Sequence, residues 1–527
     1  MTDQSTKELD CALCIVGAGY AGLNALNAAA KYLPAGARVV VLDRNATWGG
    51  QWIDQYRFVR LHQPHRLFVA GDQPWALDAP PEHLATHGEI LDYLTSVPRI
   101  SAAELEVDAR FGHEYRSHSV DRGRVLVRAR DAEGRALGVR ADRLLIAKGF
   151  DITIRPPFPI ASDAVESLSV TDPRVADAAA AATPAPLVVI GSGKTAMDCV
   201  LHLVGLGTRR PIHVVTGRGS YFMVRDTCFP TGWRRHVSGL MSNTSFLETA
   251  RLYEGGEGAA VYRWHLERGY MHSVFPDPGS YMLGQLSTAE RTTIAAAVAA
   301  AHRGHLVDVV GERRPRMVLR CRDGELREVP VAPGATFINC TNHLEDRPHR
   351  PVLTDGGLVC APQLALVFSG SSAYFATHLW YRDELGSLAG ELRRPDWNAA
   401  PLAIAPRATL VLLANMLRMI PRLPRRIAAA YLGDFNLWYP PHRRIRPILR
   451  LLAARSMIEA KAARWATLRY SDVPAAQGEQ SRSPAASALQ LPALPSRSAQ
   501  PIRPPSKPWM ISARPAIICA VAPVSTL

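Results

Sequence analysis

The chain has 527 residues, 47% apolar and 20% charged, enough for several packed cores and far from the composition of a chain that stays unfolded. Its net charge of +14 suggests a nucleic-acid partner until the charge is mapped. Thirteen Lys/Arg against two acids fall in 401–470, the rest is nearly neutral, and no nucleic-acid-binding motif is present, so no such partner is expected.

Only six of the 61 basic residues are lysines, a bias that reflects genome base composition rather than binding. The first ten residues hold no apolar run, so no secretory leader is expected, and apolar stretches such as 410–417 fall short of the ~20 residues a membrane span needs. Eight cysteines, at 11, 14, 199, 228, 321, 340, 360 and 519, form no disulfide framework. A cytoplasmic address is the expectation. The spacing of Cys11 and Cys14, with no second pair to complete a zinc site, reads as strand core, and no metal is expected.

The pattern from 11 to 42 predicts strand, glycine turn, helix and strand: apolar 12–16, a helical run to Tyr32, then 38–42. Gly17-Ala18-Gly19-Tyr20-Ala21-Gly22 follows the strand and opens the helix, the context a dinucleotide fingerprint requires. Gly17 permits the tight turn, Gly19 lets a pyrophosphate approach backbone, and Gly22 lets helix and strand pack closely. Asp43 ends the second strand 21 residues after Gly22, where a carboxylate accepts from ribose hydroxyls.

A helical pattern at 90–94, alternating residues at 125–127 and an apolar strand at 144–147 follow, then the proline-rich run 155–159, read as a crossing point. A second unit spans 187–215: strand Leu187–Ile190, a turn at Gly191, a helical run 195–206 and a strand 212–215. Gly191-Ser192-Gly193-Lys194-Thr195-Ala196 is not a P-loop, because Val188 stands where that motif needs its first glycine. The remaining G-x-G-x-x-A form suits a nicotinamide dinucleotide. The strand after it ends at Arg218 with no acid, so Arg218, with Lys194, is expected to meet a 2'-phosphate, which selects NADPH. Apolar segments 335–340 and 365–368 read as buried strands through which the chain returns to complete the first sheet. The tail 471–527, with ten prolines in 57 residues, reads as disordered.

Two such motifs about 175 residues apart resemble the two-dinucleotide-binding flavoprotein oxidoreductases. Trp48-Gly49-Gly50-Gln51-Trp52 resembles the G-G-x-W signature of flavin-containing and Baeyer-Villiger monooxygenases. The segments 144–149 and 337–342 resemble the two hinges between their lobes, with Lys148 and Asn342 in place of the usual residues. The resemblance implies an α/β fold with two Rossmann-like domains, for FAD and NADPH, the second inserted into the first, with a basic helical C-terminal segment and the tail added. Boundaries are expected at 1–160 and 335–400 for the FAD domain, 161–334 for the NADPH domain, and 401–470 and 471–527 for the additions. It implies that Gly17, Gly19, Gly22, Asp43, Gly50 and Trp52 serve FAD and that Gly191, Gly193, Lys194 and Arg218 serve NADPH. Gln63, with His62 beside it, matches the side-chain amide that lies near the flavin C4a edge and steadies a peroxyflavin.

The activity implied is NADPH-consuming monooxygenation of a small organic substrate by dioxygen, at nitrogen, sulfur or beside a ketone. Residues 151–186 hold no histidine where these monooxygenases carry F-x-G-x-x-x-H, which keeps open a flavoprotein reductase, dehydrogenase or oxidase. A nucleotide-binding redox sensor is the alternative of another class. A disulfide reductase fits less well, since the sequence places no cysteine pair near Gly50 or in the second lobe. Segments 221–233 and 374–380 are left as loops around the substrate. The segment 401–470, with Arg425-Arg426, Arg443-Arg444, Trp438, Tyr439 and Trp465, reads as a helical cap with a solvated arginine face, with weak membrane-surface association as the alternative.

Overall fold

The computed structural model describes residues 7–149, 156–341, 351–362, 367, 372–432 and 438–470, all within one compact unit, Met1–Gln480. The expected strands at 365–368, apart from Val367, the hinge residue Asn342 and the tail 471–527 lie outside these residues.

Two sheets organise the unit. In the first, of eight strands, the order runs Leu353–Thr354, Val359–Cys360, Ala136–Ile146, Lys7–Val16, Arg38–Leu42, Glu106–Arg110, and the hairpin Glu114–Asp121/Arg124–Arg130 joins it along Ala136–Ile146. The central strands are parallel, with Leu13 opposite Val39 and Ile15 opposite Leu145. The second sheet has five parallel strands in the order Val298–Arg303, Ile212–Gly217, Leu187–Ile190, Thr336–Asn339, Glu166–Ser169. Leu187–Ile190 and Thr336–Asn339 are buried throughout, which is why they read as unbroken apolar runs rather than alternating ones. The second sheet lies, in chain order, between the parts of the first, so the expected α/β class with an inserted lobe is the class found.

One boundary differs. The sequence reading assigns 335–340 to the first sheet, but Thr336–Asn339 pairs with Leu187–Ile190 on one edge and Glu166–Ser169 on the other. The three-stranded antiparallel unit His305–Val310, Arg316–Arg320, Leu326–Pro330 packs its Leu306, Val309, Met317 and Leu319 with Val188, Val215 and Phe337. The chain therefore leaves that unit into the sheet already beneath it, and the short strands at 353–354 and 359–360 complete the first sheet instead. Residues 374–380 are not a loop either. They lie in the helix Ser372–Tyr381, whose Phe375, Leu379 and Trp380 share a core with Leu13, Ile15 and Leu26.

The segment 401–470 forms helices Ile404–Met419, Arg425–Leu432, Pro441–Ala453 and Arg455–Trp465. Leu410, Leu413 and Leu417 enter that same core. No helix of the described residues is long and apolar enough to cross a membrane.

Arg210 fastens one end of the second sheet. Its buried guanidinium donates to the carbonyls of Ala185 (2.8 Å), Ala178 (2.9 Å), Gly334 (3.0 Å) and Pro186 (3.2 Å) and to Thr336 Oγ1 (3.3 Å). Arg210→Met keeps the apolar bulk but strips these acceptors of their donor. Unfolding free energy is expected to fall by about 3 kcal/mol, read in urea as a lower midpoint at unchanged slope; an unchanged midpoint would contradict the assigned role.

Candidate active site

The first glycine turn is built by close approach. Gly17 has φ +109°, and a Cβ there would stand 2.4 Å from Ala147 O; one on Gly22 would stand 1.8 Å from Gly17 O. The structure brings Gly50 onto this turn: a Cβ on Gly50 would meet Gly19 Cα at 2.6 Å, and Gly49 N–H donates to Ala18 O at 3.1 Å. Asp43 is buried at the strand end and accepts from Ala18 N (2.6 Å) and Asn45 N (2.7 Å), which locks the turn and leaves further lone pairs. Trp52 packs edge-on to Phe68, centroids 5.7 Å apart, and its carbonyl hydrogen-bonds His87 Nε2 at 2.8 Å.

The helices after these turns begin without a side-chain cap, as do several others of the fold, including the one that starts at Gly258. Helices His87–Ser101 and Thr288–Ala297 carry complete capping boxes, Thr86 with Glu89 and Ser287 with Glu290. Helices Tyr20–Ala29 and Lys194–Gly205 start at Gly19 and Gly193 with no side-chain cap. Among the described residues, the N–H groups of Gly19, Ala21 and Gly22, and of Gly193 and Lys194, find no acceptor. Such a start is a site for an anion.

In the second turn, Gly191 has φ +118°, its N–H donates to Val215 O at 2.8 Å, and Ser192 Oγ donates to Thr216 O at 2.7 Å. Around Gly193 there is open space. Arg218 stands exposed just past the strand Ile212–Gly217, with no ion-pair or side-chain hydrogen-bond partner among the described residues. Lys194 sits one helical turn before Asp198, and its ammonium is engaged by that buried carboxylate. Tyr56 of the first lobe donates to the same carboxylate at 2.8 Å. Burial pushes the Asp198 carboxyl up, while Lys194 and the Tyr56 hydroxyl pull it down.

A cleft of about 430 Å³ runs between the lobes, lined by residues 57–61, Leu84 and Thr86 on one side and by Lys194, Asp198, Leu201, His202 and Glu290 on the other. Phe58 stacks on His202 with centroids 4.0 Å apart. Arg225 pairs with Glu290 at 2.5 Å, and its buried Nη1 has no hydrogen-bond partner. His62 and Gln63 are half-buried and make no hydrogen bond among the described residues. Burial and the nearby Lys194 and Arg225 cations push the His62 imidazolium down to about 3, so the ring is neutral at pH 7. Asp198, Tyr56, Arg225 and Glu290 were not foreseen as site residues; only the spacing of Lys194 and Asp198 signalled any of these contacts.

The seven cysteines of the described residues are free thiols. Cys11 and Cys14 are buried in the strand Lys7–Val16, with burial pushing the Cys11 thiol up to about 12. Cys199 and Cys340 do meet in the second lobe, which the sequence did not foresee. Both are buried, and burial, then the contact with Cys199, push the Cys340 thiol well above its ordinary range, the state of an inert thiol.

Residues 11–232 match the family described as pyridine nucleotide-disulphide oxidoreductase, a stretch that takes in both glycine turns. Together with the two parallel sheets, this match places a dinucleotide-binding α/β fold in the first part of the chain. No curated protein matches the sequence. Among solved structures, the chain is similar to a cyclohexanone monooxygenase from Rhodococcus sp. Phi1 bound to NADP+ (15% identity, 75% of this chain and 88% of that chain covered, TM-score 0.47). It is also similar to a bacillithiol disulfide reductase from Bacillus cereus (13%, 72% and 99%, 0.43) and a flavin-containing monooxygenase from Stenotrophomonas maltophilia (14%, 72% and 99%, 0.39).

His62 gives a pH signature. In the unfolded chain it titrates near its ordinary 6.5, and in the fold near 3, so between those values only the unfolded state holds the proton. Stability contributed by His62 is therefore complete above pH 6.5 and is lost as pH falls toward 3. His62→Gln is expected to reduce proton uptake on unfolding at pH 5 by about one proton, measured by calorimetry in buffers of different ionisation enthalpy; equal uptake would contradict burial of a neutral ring.

Proposed function

We propose that the chain is an FAD-dependent oxidoreductase that consumes NADPH and uses dioxygen to oxygenate a small organic molecule at nitrogen, sulfur or beside a ketone. The observation that carries this reading is the pair of glycine turns, at Gly17 (φ +109°) and Gly191 (φ +118°), each joining a parallel strand to a helix that starts at a glycine. The open N–H groups at Gly19, Ala21 and Gly22 would hold the FAD pyrophosphate, with Gly17 and Gly50 giving the close approach and Asp43 accepting from ribose. Gly191 and Gly193 would serve the nicotinamide dinucleotide in the same way, and Arg218, exposed and unpaired, would take a 2'-phosphate. Bound flavin would supply hydride acceptance and electron delivery to dioxygen.

The chain's own groups then have defined work. Apolar Phe58, Leu61, Leu84 and Leu201 would exclude water from the cleft and hold an organic substrate of modest size. Gln63 and a neutral His62, uncommitted to protein partners, would orient the reacting edge by hydrogen bonding without adding charge. Trp52 would back the flavin side through its aromatic packing. Lys194 acts in the clamp on Asp198, so nucleotide selection falls to Arg218.

The purified chain is expected to be yellow and to lose its flavin band on anaerobic addition of NADPH; a colourless chain that takes up no FAD would overturn the reading. Oxygenated product in step with NADPH oxidised supports monooxygenation, whereas NADPH lost only to peroxide selects a reductase or oxidase, and a flavin that NADPH cannot bleach selects a sensor. Arg218→Ala is expected to raise KM for NADPH about tenfold or more and leave KM for NADH unchanged, read in steady-state kinetics of flavin reduction; equal effects on both would remove Arg218 from 2'-phosphate recognition.

A further inference from the structure

Helix Pro441–Ala453 is inside out. Its 3.6-residue period sets Ile445, Leu449 and Leu452 on one stripe, and these are 59%, 60% and 39% exposed, while the opposite side buries Pro447 and Leu451. Arg446 and Arg450 flank the stripe on one side and Arg444 on the other.

A second exposed apolar group joins it from far away in sequence. Trp233 is 73% exposed and Val237 64%, at the short helix Arg234–Val237 with its exposed Arg234 and Arg235. The two segments are tied together. Trp438 Nε1 donates to Pro230 O at 2.7 Å, Tyr439 OH to Cys228 O at 2.9 Å, and Arg443 to the carbonyls of Arg235 (3.1 Å) and Ser238. The His236 and His442 rings stack 6.0 Å apart, which sets 233–237 against the first turn of the stripe. Neither 227–247 nor 435–458 contains an Asp or Glu, so this charge has no local opposition.

We infer that the surface formed by 233–237 and 442–452 docks on an anionic membrane surface, with Trp233, Val237, Ile445, Leu449 and Leu452 entering the headgroup boundary and the arginines meeting lipid phosphates. Exposed apolar side chains rimmed by cations are what a peripheral lipid contact requires. A second copy of the chain would set arginine against arginine, and a nucleic acid would leave the aliphatic stripe unsatisfied.

The full chain is tested by sedimentation with vesicles of phosphatidylcholine alone and of phosphatidylcholine mixed with phosphatidylserine. Binding to the mixed vesicles, weakened by salt, is expected. The exposed triple variant Trp233→Ala/Ile445→Ser/Leu449→Ser is expected to lower the partition about tenfold or more, and each of Arg446→Glu and Arg450→Glu about fivefold or more on the mixed vesicles, with circular dichroism unchanged in every case. Equal binding to both vesicle types, or binding untouched by these variants, overturns the proposal. So does a concentration-dependent dimer in vesicle-free sedimentation velocity that the triple variant dissolves.

Discussion

The geometry of the cleft depends on how one buried carboxylate is held. Asp198 lies inside the protein, where an isolated charge is not tolerated, and it is accepted there because Lys194 and Tyr56 both engage it. Lys194 is the first residue of the helix after the second glycine turn, and Tyr56 belongs to the first lobe. The clamp therefore fixes the start of the helix after the second glycine turn relative to the segment carrying Phe58, Leu61 and His62. Phe58 stacked on His202 repeats the contact one turn further along. Removing Lys194 leaves an uncompensated charge at the junction of the lobes, whereas removing the Tyr56 hydroxyl leaves the ion pair one hydrogen-bond donor short.

The clamp holds Lys194 against Asp198 beside a helix start that has no side-chain cap. A Ser, Thr or Asp cap contributes about 1 kcal/mol to a helix, and this chain uses complete capping boxes at Thr86 and Ser287. At Gly19 no such side chain fits, because a Cβ there would press on Gly50 Cα at 3.1 Å. At Gly193 nothing blocks a side chain, so the open space itself is the feature. In both places the first N–H groups of the helix are left without a side-chain acceptor, the kind of start that favours an anion.

Local signals carried most of the fold. Strand, turn and helix at 12–32 and 187–206 were legible because a fully buried parallel strand is an unbroken apolar run and because glycine spacing marks the turn. The place of Thr336–Asn339 was not, since an apolar run says that a strand is buried without saying in which sheet; that choice follows from the antiparallel unit before it, packed on Val188 and Phe337. The same limit hid the helix Ser372–Tyr381, where burial on all sides removes the period that would reveal it. At the site, contacts within one helix could be read from spacing, as with Lys194 and Asp198. Those spanning the lobes, such as Tyr56 with Asp198, or Arg225 with Glu290, depend on tertiary placement that spacing does not encode.

Arginines in one short stretch show how burial sorts charge. Arg225 is nearly enclosed, and a guanidinium there must be paired, so Glu290, already the partner of Ser287 in the capping box of helix Thr288–Ala297, holds it. Asp226 ties the same stretch down by accepting from Thr288 N at 2.8 Å. Nine residues on, Arg234 and Arg235 are fully hydrated and have no acid near them in sequence, so their charge is not cancelled and adds to that of Arg444, Arg446 and Arg450 across the tied segments. A field from hydrated charges fades within about 8 Å at physiological salt. It acts on whatever surface comes close to that face, while the paired charges of the cleft, shielded from water, keep their influence for the groups they touch.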